Sequence, residues 1–257
     1  MQIIRYSQHN QKVQYGWILD DKVGPLSGPP FGPYRRMDAV APLSNVKLHA
    51  PVLPGKIIAI GRNYPEHAKE HDVEIPDTPL IFLKPPSSII GFGDQILLPP
   101  QSKKVEYEAE LAVVIGRSGK WIDIREIENF ILGYTIANDV TARDLQRNDE
   151  QWTRAKGFDS FCPLGPWIET ELDVTGVLIT NRVNDEIRQM ASTREMVFNI
   201  PQLVVYISSI MTLNPGDLIL TGTPAGVGKL EDGDTVEIEI EGIGILKNTV
   251  AKDLRQG

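Results

Sequence analysis

The sequence predicts a mixed, strand-rich α+β fold, and three patterns predict it. Runs of roughly four to eight apolar or alternating residues recur along the chain, each closed by Gly, Pro, Asn or Asp, as strands and their turns are. One stretch, residues 201–211, carries a sustained helical stripe, with Leu203, Val204, Ile207 and Ile210 on one face. The last third ends on a hairpin pattern, residues 235–240 with 244–250.

Taken in order, residues 2–6, 13–19 and 22–26 read as short strands, the first two joined by a polar turn, with a Gly/Pro loop at 27–33. After a strand at 46–49, the Pro-punctuated stretch from Ala50 to Pro54 favours an extended link, which places a boundary between a small N-terminal β domain, 1–53, and a main domain, 54–257. The main domain opens with a buried strand at 56–60 and a short helix from Pro65, where a proline costs no hydrogen bond, to about His71. Strands at 80–84 and 95–98 follow. Residues 121–130 predict a helix capped by Asp123 with Ile124, Ile127 and Ile131 buried. Further strands are expected at 132–138, 166–168, 176–183, 186–190 and 218–221.

Composition narrows the function classes. The 257 residues carry a net charge of −8 and no run of Lys and Arg, which argues against nucleic acid as a partner. A single cysteine, Cys162, excludes an internal disulfide and suits a reducing compartment; with no His nearby it reads as a buried structural thiol. Neither a leader-like apolar core at the start nor a run of about 18 apolar residues occurs, so a cytoplasmic protein without a membrane span is the expectation.

The most informative stretch runs from Val105 to Gly116, where Glu106, Glu108 and Glu110 alternate before an apolar run. On a strand the three project from one face and repel unless a cation sits between them. Oxygen ligands of this kind suit a hard ion such as Mg²⁺, Mn²⁺ or Ca²⁺, although a solvated acidic face shows the same alternation. His67 and Glu70, three apart on a helix, suit a general base with its orienting carboxylate, and equally a surface pair. Asp139 ends a strand, where a carboxylate can complete a ligand set, and a helical turn beyond it brings Arg143 and Gln146 to one side. Lys156 adds a cation in a Gly-broken loop. The stretch from Gly222 to Lys229 is no phosphate loop, since Val227 stands at the second glycine position and Leu230 follows the lysine; it offers backbone N–H groups and the Thr223 hydroxyl to a ligand carboxylate.

Six segments together resemble one family: Gly61-Arg-Asn-Tyr-Pro-Glu-His67, Tyr107-Glu-Ala-Glu-Leu111, Asn138-Asp-Val-Thr-Ala-Arg-Asp144, Trp152-Thr-Arg-Ala-Lys156, Gly165-Pro-Trp167 and Leu220-Thr-Gly-Thr-Pro-Ala-Gly-Val-Gly228. In this order, across residues 51–250, they resemble the fumarylacetoacetate hydrolase family, in its branch of acylpyruvases and 2-hydroxyhepta-2,4-diene-1,7-dioate isomerases. The resemblance implies a β-barrel-like roll of sheets with peripheral helices, usually a homodimer. It assigns a divalent metal, Mg²⁺ or Mn²⁺, to Glu108, Glu110 and Asp139, and a catalytic dyad on a lid helix to His67 and Glu70. Lys156 and Gln146 fall at the reacting carbonyl, and Arg143, Tyr64 and Thr223 where substrate is gripped. Glu106 inherits no role.

The activity this implies is metal-dependent hydrolysis of a carbon–carbon bond in an acylpyruvate-like diketo acid, with His67 activating water. Enolate stabilisation on the same scaffold also serves decarboxylation of an oxaloacetate-type acid or isomerisation of a 2-hydroxydienedioate from aromatic breakdown. A protein that only binds a small anionic 2-oxo acid is the alternative from another class; there Glu108→Ala abolishes affinity and His67→Ala changes no rate. The loops at 71–79 and 85–94 are expected to shape the substrate's far end.

Overall fold

All seven residues of the strand Ala109–Ile115 are buried, because this strand separates two cores. Leu111, Val113 and Ile115 pack with Ile179, Ile238 and Leu246 on one side. Ala112 and Val114 pack on the other with Ile57, Leu164 and, from the N-terminal segment, Leu26 and Val52. Burial on both faces explains why this stretch reads as a continuous apolar run instead of an alternation.

The computed structural model describes residues 1–8 and 12–254, so the turn expected between the first two strands lies partly outside the described residues. The strand belongs to a twelve-stranded sheet whose main path runs Ala41–Pro42, Lys22–Pro25, Gln14–Leu19, Gln2–Ser7, Cys162–Glu169, Ile131–Asn138, Ala109–Ile115, Leu218–Leu220, Ile57–Gly61 and Leu80–Lys84. The two ends of that path do not pair with each other, so the expected roll of sheets is not closed into a barrel. A five-stranded sheet, in the order Glu186–Ser192, Leu178–Val183, Thr235–Ile240, Gly244–Lys252 and Gln95–Leu98, packs across the first core. The N-terminal strand Gln2–Ser7 continues the large sheet by pairing Ile3 with Ile168, and the N-terminal ammonium meets Glu169 at 2.6 Å.

Helices are few: α1 (Pro65–Glu70), α2 (Arg143–Asn148), α3 (Thr153–Lys156) and α4 (Ile200–Ile210) among the described residues. Asn199 caps α4, its side chain accepting from the Gln202 N–H at 3.0 Å while Gln202 reciprocates to the Asn199 N–H. Leu203, Val204 and Ile207 are buried as expected, whereas Ile210, the helix's last residue, is half exposed. Residues 121–130 depart from expectation. They form a short 3₁₀ helix, Ile124–Asn129, capped by Asp123; Ile127 is buried, but Ile124 is exposed and Ile131 begins the next strand opposite Ile115. Strand pairing from Ile131 onward ends the helix there, so Ile131 belongs to the sheet and not to a helical stripe. No helix among the described residues is long and apolar enough to cross a membrane.

Candidate active site

Strand register assembles the acidic centre. Ala109 pairs with Asn138, the Asp139 N–H donates to the Glu108 carbonyl at 2.9 Å, and the Glu108 N–H donates to Asn138 Oδ1 at 2.9 Å. Glu108 and Asp139 therefore face each other where two strands end, and Glu110, two residues on, shares the side of Glu108. All three are buried, with one oxygen of each within 4.8 Å of the others. Glu106 does not join them, contrary to the single strand face expected from the alternation. The ladder breaks at Tyr107 and Glu108, and Val105–Glu106 pairs instead with Thr141–Ala142.

Buried cations answer most of this negative charge. Lys156 Nζ donates to Glu108 Oε2 and to Asp139 Oδ2, each at 2.7 Å. Arg143 pairs with Glu106 at 2.6 Å, with Glu108, and donates to Gln146 Oε1, so α2 does bring Arg143 and Gln146 to one side. Lys84, which sequence reading passed over, places Nζ 2.6 Å from Asp139 Oδ1 and donates to the Lys156 carbonyl. Burial alone would raise the pKa of Glu108, but Lys156 and Arg143 outweigh it and hold the carboxyl well below the usual range. Glu110 has no such partner among the described residues; its carboxylate accepts the Gly222 N–H at 2.7 Å. Burial, then the charges of Asp139 and Glu108, raise its pKa well above the ordinary value. Three buried oxygen donors with one charge uncompensated fit a hard divalent cation.

Two glycines set the loop that closes this centre. Gly222 sits at φ +95°, where a Cβ would come within 2.8 Å of Asn63, and Gly226 at φ +98°, where a Cβ would strike the Arg188 carbonyl at 2.0 Å. Gly226 turns its N–H to the Glu70 carboxylate at 3.2 Å. Asn63 ties the start of α1 to the same loop, donating to the carbonyls of Thr221 and Phe198 and accepting from the Phe198 N–H. From α1, His67 is buried, and its Nδ1 lies 3.5 Å from Glu70 Oε2 without hydrogen-bond alignment. Burial pushes the His67 imidazole down to about 4, so it is neutral at physiological pH and free to accept a proton. Cys162 is fully buried, and burial pushes its thiol up to about 12, which leaves it inert.

Thr223 donates to the Ala109 carbonyl at 2.9 Å and accepts from Gln189 Nε2 at 2.8 Å. Gln189, buried in the Glu186–Ser192 strand, also donates to the Pro224 carbonyl and accepts from the Ala109 N–H and from Asn181. Gln189→Leu is expected to cost about 1–3 kcal/mol for each buried group left unpaired. Urea denaturation checks this; an unchanged midpoint would show that the loop finds its support elsewhere.

These groups line a cavity of about 240 Å³, whose wall includes His67, Glu108, Glu110, Arg143, Gln146, Lys156 and Thr223. The volume suits a compact organic acid. Arg62, His71, Phe82, Arg147 and Trp152 line it too, and sequence reading assigned them nothing, although Arg62 and Trp152 stand inside two of the quoted motifs. Glu70, Asp139 and Tyr64 do not line it; Tyr64 is buried with its hydroxyl unpartnered, close enough to Glu110 for that charge to add to burial in raising its pKa. His71 and Val73 represent the 71–79 loop at the cavity, but no residue of 85–94 does. That second loop is taken up elsewhere, Ile89 and Ile90 pairing with Cys162 and Pro163 and Gly91 packing on His49 and Ala50.

Residues 56–251 match the family described as fumarylacetoacetate (FAA) hydrolase C-terminal. The chain belongs to the fumarylacetoacetate hydrolase family. Residues 1–51 match a second description, Rv2993c-like, N-terminal. Among relatives of this family member, oxaloacetate tautomerase Fahd2a, mitochondrial, from Rattus norvegicus is 46% identical over 81% of this chain and 71% of its own length. A solved 5-carboxymethyl-2-hydroxymuconate delta-isomerase from Mycobacterium smegmatis superposes with a TM-score of 0.92 at 46% identity, covering 98% of this chain and 100% of the other. A 2-hydroxyhepta-2,4-diene-1,7-dioate isomerase from Mycobacterium marinum does so with a TM-score of 0.92 at 43% identity, covering 99% and 100%. These similarities place the chain in an enzyme family whose named members include isomerases and a tautomerase.

Proposed function

We propose that this protein is a divalent-metal-dependent enzyme that moves a proton between carbon and oxygen of a small 2-oxo dicarboxylate, interconverting its keto and enol forms. The observation that carries the reading is a neutral, buried imidazole, His67, in the same small cavity as the carboxylates Glu108 and Glu110 and the cations Arg143 and Lys156. A Mg²⁺ or Mn²⁺ ion held by Glu108, Glu110 and Asp139 would supply Lewis-acid charge for the acid's carboxylate and 2-oxo oxygens. His67 takes the proton from the carbon beside the 2-oxo group, and the proton returns to the oxygen, so no water is consumed. Lys156 and Arg143 supply fixed positive charge where negative charge develops, and Gln146, held by Arg143, orients the carbonyl. The names of the tautomerase and isomerase relatives support proton transfer of this kind.

Hydrolysis of an acylpyruvate is the second reading. It is favoured by the 3.5 Å approach of Glu70 to His67, the arrangement a water-activating dyad needs. It ranks second because the pair is not aligned as a hydrogen bond and the Glu70 carboxylate is engaged by Gly226. A second copy of the chain is the assembly partner this reading of the family carries, checked by light scattering.

The test follows the enol absorbance of oxaloacetate and the release of acetate from acetylpyruvate, with Mg²⁺ or chelator, in the parent and in His67→Gln. Metal-dependent enol–keto exchange that falls by about 10²–10⁴-fold in His67→Gln is the expected result. Metal-dependent acetate release without enol exchange would replace this reading with the hydrolase.

A further inference from the structure

We infer that His67, Glu70 and His71 form a second cation site, distinct in chemistry from the carboxylate trio, which takes a borderline ion of the Zn²⁺ class and in doing so occupies His67. The segment His67-Ala-Lys-Glu-His71 has the order H-x-x-E-H, a spacing at which one helix face can present two histidine ligands to zinc. Here α1 and its first following residue carry it out: one ligand atom from each of the three side chains lies within 4.8 Å of the other two.

A second observation points to a ligand independently of that spacing. His67 Nδ1 and His71 Nε2 are both buried atoms without a hydrogen-bond partner among the described residues. Buried polar atoms are nearly always paired, so two unpaired imidazole nitrogens in one small cluster need a common explanation. The rings already meet edge to face, with centroids 4.7 Å apart. Glu70 is exposed and His71 only part-buried, so rotation of these two side chains, with Glu70 giving up its 3.2 Å contact to the Gly226 N–H, closes the set around an ion that reaches the two histidines through the cavity.

Donor chemistry separates the two sites. Two nitrogens and one carboxylate select zinc, cobalt or nickel over magnesium, whereas Glu108, Glu110 and Asp139 offer oxygen alone. An ion on the first set engages the imidazole that the proposed reaction uses as its base. The binding inference stands by itself; inhibition by the ion rests on that proposed role of His67.

The experiment titrates the parent with Zn²⁺ by calorimetry while a large excess of Mg²⁺ holds the carboxylate site, and repeats it with Co²⁺ to read the visible absorption of a nitrogen-ligated ion. One equivalent of Zn²⁺ and that absorption are expected. His71→Gln should weaken the binding by at least about tenfold, since losing even an outer-shell partner of a metal costs 10–100-fold. Glu110→Gln, which cripples the oxygen site, should leave it in place. Zn²⁺ binding unchanged in His71→Gln, binding lost in Glu110→Gln, or no binding to the parent each overturns the inference. In turnover assays, Zn²⁺ should inhibit the parent and lose potency in His71→Gln by the same factor as its affinity. Zn²⁺ that binds through His71 yet leaves turnover intact upholds the site and refutes the base role of His67.

Discussion

Lys156→Met is expected to unfold more easily than the parent by about 3–5 kcal/mol when no divalent ion is present, because it strands buried carboxylates without their cation. Lys156 is 2% exposed, and its ammonium bridges Glu108 and Asp139, so removal leaves those two beside Glu110 with only Lys84 and Arg143 nearby. Adding Mg²⁺ should recover much of the lost stability, since the ion supplies the missing positive charge. Turnover should stay about 10²–10³-fold down even with Mg²⁺, because Lys156 also provides fixed charge at the cavity wall. Chemical denaturation with and without Mg²⁺, beside steady-state rates, separates the two roles. A variant as stable as the parent without the ion would show that Lys156 does not hold the cluster together. Full activity with Mg²⁺ would reduce it to a structural counter-ion.

Glu110→Gln is expected to do the opposite to stability while abolishing tight metal binding. Glu110 is the one carboxylate of the trio without a cation partner among the described residues, and its folded pKa lies well above 4.5. A raised carboxyl pKa means that the native state holds the proton more tightly than the unfolded chain. Its stabilising contribution is full below the unfolded value and is lost as pH rises through the folded one. The metal-free parent should therefore lose stability as pH climbs from the ordinary carboxylate range upward, and Glu110→Gln, which keeps an acceptor for the Gly222 N–H, should lose less. At neutral pH the metal-free variant should melt at least about 2–4 °C above the metal-free parent, the shift that 1 kcal/mol gives a chain of roughly this size. Mg²⁺ should raise the melting temperature of the parent and not that of the variant. A variant that still gains stability from Mg²⁺ would remove Glu110 from the ligand set.

The two predictions turn on neighbours that the sequence does not bring together. Glu108 and Asp139 are thirty-one positions apart, and they meet because Ala109 pairs with Asn138 in the sheet. Glu106 and Glu110 share the parity of Glu108 in the sequence, yet only Glu110 joins it, because the ladder ends and changes partner between Glu106 and Ala109. A period-2 pattern states which side a residue takes along an unbroken strand and carries no information on where the strand breaks.

By itself the sequence determined the strand-rich class, the short helix of His67, the amphipathic α4, the inert Cys162 and, through six motifs in order, the family. These follow from local signals, namely hydrophobic period, turn residues and caps, which act over a few positions. Tertiary structure alone decided that the large sheet is open, that Ile124 faces solvent, that Lys84 neutralises Asp139, and that His71, with a buried unpaired nitrogen, clusters with His67 and Glu70. Lys84 reads as any lysine at a strand's end until the fold buries it beside a carboxylate 55 residues away. Burial and through-space charge set the chemistry of such groups, and both depend on contacts between segments that no single stretch of chain encodes.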